Sequence, residues 1–111
     1  MTASKSLCLQ RFSGDIDVQS AADFAAALDR VAGQRPEGVV LDLSRVEFLN
    51  ASGLAILARF CVDAERSRMP VAVVGGRVVA RPIEACELDT TIELFESVDE
   101  AGSALGGRTV R

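Results

Sequence analysis

The chain has 111 residues, 49% of them hydrophobic and 25% charged, which fits one packed domain and excludes a disordered chain. A net charge of −4 argues against nucleic acid as a partner, no apolar run reaches the length of a membrane span, and "MTASKSLCLQRF" lacks the apolar stretch of a signal peptide, so a cytoplasmic protein is expected. There is no histidine, which removes Ser-His-Asp and Cys-His arrangements, the commonest metal ligand and the commonest general base near neutral pH.

In chain order, "LCLQRFSGDID" alternates Leu7, Leu9 and Arg11 against Cys8, Gln10 and Phe12, which predicts one or two short strands turned at Ser13-Gly14. Ser20, with Asp23 three residues on, resembles a capping box. Ala21, Phe24, Leu28 and Val31 then mark one face of a helix that Gly33 is placed to end in a left-handed conformation. "VVLDL", Val39 to Leu43, reads as a core strand, and "SRVEFL" as the turn and approach that follow it. The next helix is predicted over Ser52 to Ser67, stopped by Met69-Pro70. Val71 to Val74 gives another core strand, and Gly75-Gly76 turns the chain.

Pro82 suits the first turn of a helix, so a helix is expected over Arg81 to Glu87. "IELFES" reads as a last short strand. Ser97 and Glu100, in capping-box spacing, open a short terminal helix, and the tail from residue 105 to 111 is expected to fray. Strands alternating with helices imply a single α/β domain over residues 1–111. The three cysteines, Cys8, Cys61 and Cys86, are far apart and read as small buried apolar residues, with no disulfide, metal or cofactor role expected.

The seam "VEFLNASGLAIL" carries the chemistry. At about 100° per residue, Leu54, Leu57, Ala58, Cys61 and Ala64 form the stripe that faces the sheet. Ile56 and Phe60 fall off it, beside Arg59 and Asp63. They either pack against a neighbouring helix or form an apolar spot, rimmed by charge, for a partner protein. Ser52 at the helix start has two readings as well. Its hydroxyl can cap the free N–H groups there, or the same groups and the helix dipole can accommodate a phosphate on it. A side chain at position 53 would crowd that approach, which gives Gly53 a reason. Sequence physics alone does not separate capping from phosphorylation.

The stretch "VVLDLSRVEFLNASGLAIL" resembles the signature of the STAS domain, and in particular the bacterial anti-sigma factor antagonists. The matching residues are Asp42-Leu43-Ser44, Val46, Phe48, Leu49 and Ser52-Gly53-Leu54; "GDID" and "SVDEAGSAL" resemble its flanks. The resemblance implies a mixed β-sheet of four to five strands with about four helices packed mainly on one side. It also implies a non-enzymatic protein that binds an anti-sigma factor, often a serine kinase, and so frees a sigma factor. Phosphorylation at Ser52 would end binding, and a phosphatase would reset it. The implied contact residues are Asn50, Ala51, Ser52, Gly53, Leu54, Ile56, Arg59 and Phe60. Asn50 stands where the family has Asp, and Ala51 where it has Ser or Thr, which leaves Ser52 the only hydroxyl in the motif. Two other readings compete: a STAS accessory subunit of a membrane ABC transporter, needing no phosphorylation, and a small hydrolase using Ser52. The second lacks both a histidine base and a G-x-S-x-G elbow.

Overall fold

The computed structural model describes the backbone of residues 5–110 and the side chains of residues 5–107. Five strands are formed: β1 (Lys5–Ile16), β2 (Val39–Leu49), β3 (Val71–Val74), β4 (Leu94–Phe95) and β5 (Gly107–Val110). Four helices connect them: α1 (Ala21–Gly33), α2 (Ala51–Arg66), α3 (Arg77–Ala85) and α4 (Val98–Ala104). The sheet order is β4-β3-β2-β1-β5, which puts β2 at the centre. Every strand pair is parallel, so the sheet is not the mixed one expected.

Successive residues of β2 point to opposite faces, and its apolar run serves two cores. Val39, Leu41 and Leu43 join α1, α2 and α3 through Phe24, Leu28, Val31, Leu54, Leu57, Val79 and Ile83. Val40 joins Leu7, Ala72, Val74 and Ala101 of α4 on the other face. Three helices on one side and one on the other agree with helices packed mainly on one side.

β2 does not stop at Leu43. It continues through "SRVEFL", although Leu43, Val46 and Leu49 are three apart and a straight strand would not aim them together. Against β1, the register shifts between Arg11 and Ser13 and again between Gly14 and Asp15, with β2 carrying the extra residue each time. Each bulge resets the alternation, so all three residues reach the same core. The Asp-Leu-Ser motif sits at the first bulge. Asp42 Oδ1 accepts the Ser44 backbone N–H at 3.0 Å and the Ser44 hydroxyl at 2.6 Å, while Oδ2 lies 3.4 Å from Arg11 Nε. Asp42 is the buried charge among the described residues, and these partners satisfy it.

Other expectations need correction. β1 runs on through Ser13-Gly14 as one strand. Ser20 does not cap α1: its hydroxyl accepts from the Asp17 N–H and turns back toward the Asp15 carbonyl and the Asp17 carboxylate. The Ser20 N–H, the Ser20 hydroxyl and the Gln19 N–H donate to Asp17 Oδ1, and these bonds, those of Ser20 above all, hold its carboxyl below the ordinary aspartate range. Gly33 stays helical, and Arg35, at φ 50°, takes the left-handed position. α3 starts at Arg77, not Arg81, which leaves Pro82 inside it without the N–H a helix interior uses. Val79 and Ile83, four apart and fully buried, anchor α3 to the sheet, and this packing outweighs the lost bond.

Ser97 caps α4 as expected, accepting the Glu100 N–H at 3.1 Å. The tail does not fray at residues 107–110. Gly106, at φ 74°, turns the chain, and Gly107 lies so close to the Lys5 backbone that a Cβ would overlap it. β5 then pairs with Lys5–Cys8. Arg111 lies outside the described residues.

Cys61 is buried, Cys8 half-buried and Cys86 exposed, so the uniform expectation fails for Cys86. Burial pushes the Cys61 thiol up to about 12 and also raises that of Cys8. At neutral pH a thiol-disulfide reagent therefore labels Cys86 first in the native protein and Cys61 only on unfolding. Mass spectrometry of time points checks this order.

Candidate functional site

In a parallel sheet all strands end at the same side, and the loops into the following helices gather there. β1 feeds α1 through residues 17–20, β2 feeds α2 through Asn50, and β3 feeds α3 through Gly75-Gly76. Because β2 is central, the start of α2 lies in the middle of this row.

Asn50 is the N-cap of α2. Its backbone is extended (φ −84°, ψ 177°), and its Oδ1 accepts the Gly53 N–H at 2.8 Å. Its own N–H donates to the Ile16 carbonyl at 3.0 Å, so the end of β1 fixes where α2 begins. Ser52 is therefore the second helical residue and not the cap. It is exposed, and among the described residues its hydroxyl has no hydrogen-bond partner. The Ala51 and Ser52 N–H groups precede the first intrahelical bond, from Leu54 N–H to the Asn50 carbonyl. Capping and a free hydroxyl thus fall on different residues. Asn50→Ala should lower stability by about 0.5–2 kcal/mol, and Ser52→Ala by less than about 0.5 kcal/mol, both measured by urea unfolding.

The eight implied contact residues separate into three groups. Ala51, Ser52 and Arg59 are exposed, Asn50 and Ile56 half-buried, and Gly53, Leu54 and Phe60 buried. Phe60 is 9% exposed and belongs to the main core, so it is no apolar surface spot. Ile56, Arg59 and Phe60 line a groove of about 830 Å³ between α1 and α2, whose other wall includes Ala25, Leu28 and Asp29. Arg59 pairs there with Asp63 at 3.4 Å, one helical turn on. The reason for Gly53 also changes. A Cβ on it would lie 2.6 Å from Ile16 Cγ2 and 2.9 Å from Leu49 Cδ1, so the glycine serves close packing on β1 and β2. Ala58, expected on the sheet-facing stripe, is half-buried.

Sequence periodicity missed the apolar part of this surface. Among the described residues, the exposed large apolar side chains are Val18 (78%), Phe48 (51%) and Val78 (44%). Val18 follows β1, Phe48 lies near the end of β2, and Val78 is in the first turn of α3. All three are at the end of the sheet where α2 begins. No grouping of His, Cys, Asp and Glu able to hold a metal occurs among the described residues. No described helix is long and apolar enough to cross a membrane.

The geometry defines a parallel α/β domain that presents a free serine at a capped helix start, at the end of the sheet that also carries exposed Val18, Phe48 and Val78. The STAS domain family matches residues 1–101, and the chain belongs to that family. It is similar to the anti-sigma-F factor antagonist RsfB of Mycobacterium tuberculosis, with 38% identity over 99 residues, covering 88% of this chain and 81% of RsfB. A crystal structure of an anti-sigma factor antagonist from Mycobacterium paratuberculosis superposes with a TM-score of 0.79 at 33% identity, covering 89% of this chain and 85% of the other. A structure from Thermotoga maritima shares the fold, with a TM-score of 0.81 at 18% identity, covering 89% and 86%.

Proposed function

We propose that the protein is an anti-sigma factor antagonist that binds an anti-sigma factor of the serine-kinase type and loses that partner when Ser52 is phosphorylated. The observation that carries this reading is the division of labour at α2. Asn50 holds the helix start, and Ser52 stands free and exposed at the same end of the sheet as the exposed Val18, Phe48 and Val78. A hydroxyl with no structural duty can be modified without unfolding the domain. A phosphate there adds about −1.5 to −2 charges at neutral pH. The positive end of the α2 dipole and the free N–H groups accommodate that charge within the fold. A partner docked on an apolar surface meets it instead as a desolvation cost and as bulk.

The names of the relatives support the antagonist part of the reading. The serine at the position the family motif places it, and the absence of histidine, support the switch and a non-enzymatic role. A phosphatase would return the protein to its binding form. Asn50 caps as well as the family's aspartate would, so the substitution leaves the geometry of the switch intact.

The contact surface in this reading is Ala51, Ser52, Phe48, Val18 and Val78, with Arg59 at its margin. Gly53, Leu54 and Phe60 position it from below. Phe48→Arg should therefore weaken binding of the anti-sigma factor at least about tenfold with an unchanged melting temperature. Ile56→Arg, by contrast, should lower the melting temperature, because Ile56 packs against the main core.

The modification itself is tested by incubating the protein with an anti-sigma kinase from the same genome and ATP, then mapping phosphate by mass spectrometry. Incorporation at Ser52, abolished in Ser52→Ala, is expected. Tight binding of a kinase that leaves Ser52 unmodified would keep the antagonist and remove the switch.

A further inference from the structure

We propose that two copies of this chain associate weakly through the upper edge of β1, by antiparallel pairing centred on Ser13. The backbone contacts show which residues face that edge. Cys8 N–H donates to the Gly38 carbonyl, and the Ile16 carbonyl accepts from Asn50 N–H, so even-numbered residues of β1 direct their backbone groups toward β2. Lys5 N–H donates to the Gly106 carbonyl, so odd-numbered residues face the opposite side, where β5 lies. The described part of β5 pairs only as far as Cys8. Arg11, Ser13 and Asp15 therefore present outward N–H and carbonyl groups along an edge that no described strand covers, and all three are exposed. The Asp15 carbonyl accepts the Ser20 hydroxyl and keeps a second lone pair.

An open strand edge is a template for pairing, and the charges along this one choose the occupant. Antiparallel pairing about Ser13 sets Arg11 of one copy opposite Asp15 of the other, and the two-fold axis repeats that ion pair. Residues directly opposite share a face of the sheet, so the opposite charges meet. The same register lays Phe12 across from Gly14, where there is no side chain to displace. Sliding one strand so that Arg11 faces Arg11 replaces attraction with repulsion. Arg11 also serves Asp42 at 3.4 Å, and the five N–H donors of a guanidinium allow both contacts. The contact is short, so the dimer is weak and salt-sensitive.

Sedimentation equilibrium of the full chain over a wide concentration range, at low and high salt, tests this. Wild type should show a reversible monomer–dimer equilibrium that weakens with salt. Asp15→Arg, at an exposed position, should raise the dissociation constant at least about tenfold. Ser13→Pro, which removes an outward-facing donor, should do the same. Both variants should keep the wild-type melting temperature at low concentration. Exchange of the Arg11 and Ser13 amide hydrogens should slow as wild type is concentrated. A wild type that is monomeric throughout, or a dimer equally tight in Asp15→Arg, overturns the proposal. A dimer whose protected amides lie elsewhere also overturns it. The result does not depend on whether Ser52 is phosphorylated.

Discussion

Leu57→Ala lowers the stability of the fold by about 2–5 kcal/mol, the range for deleting a fully buried leucine. Leu57 is 0% exposed and sits mid-helix in α2, in the same core as Leu41, Leu43 and Val73 of the central strands. The sheet below is held by strand pairing and cannot rise to fill the space, which places the loss well within that range. Urea unfolding measures it as a drop in midpoint at an unchanged slope.

Gly53→Ala lowers stability by about 1–3 kcal/mol through overpacking, although alanine is the better helix former by about 1 kcal/mol. The two effects oppose each other, and the geometry decides the sign. The new methyl would lie 2.6 Å from Ile16 Cγ2, on a β-branched side chain that cannot swing aside. Nor can α2 move off freely, because Asn50 N–H is bound to the Ile16 carbonyl. Relief therefore requires either breaking that bond or shifting the first turn of α2. The same shift moves Ser52, so Gly53→Ala should also weaken anti-sigma factor binding. Thermal unfolding and binding titration of the one variant measure both effects.

Much of this architecture was legible in the sequence because it rests on local patterns. Val71–Val74 matched its strand, and the α2 stripe of Leu54, Leu57, Cys61 and Ala64 reached the core as its spacing required. The misses share a physical cause, which is tertiary packing overriding a local signal. The bulges in β2 turned a three-residue spacing into a continuous strand. Val79 and Ile83 drew Pro82 into a helix interior. Gly106-Gly107 looked like a fraying tail because its partner, β1, lies a hundred residues earlier in the chain.

At the site, the motif located the helix start, but its labour was divided differently from any single-residue reading. Asn50 takes the cap and Gly53 the close packing, and Ser52 is left free. Phe60 was drawn into the core, while the exposed apolar side chains came from three separate parts of the chain, the loop after β1, the end of β2 and the start of α3. Periodicity within one helix cannot reveal a surface assembled by sheet topology.

The most direct test is to prepare the protein phosphorylated at Ser52 and compare it with the unmodified form in two measurements, its melting temperature and its affinity for the anti-sigma factor. The structure predicts melting temperatures that agree closely and an affinity lower by at least about a hundredfold, roughly 2.7 kcal/mol. Equal affinities would contradict the switch, and a melting temperature that collapses with phosphorylation would contradict a serine that stands free of the fold.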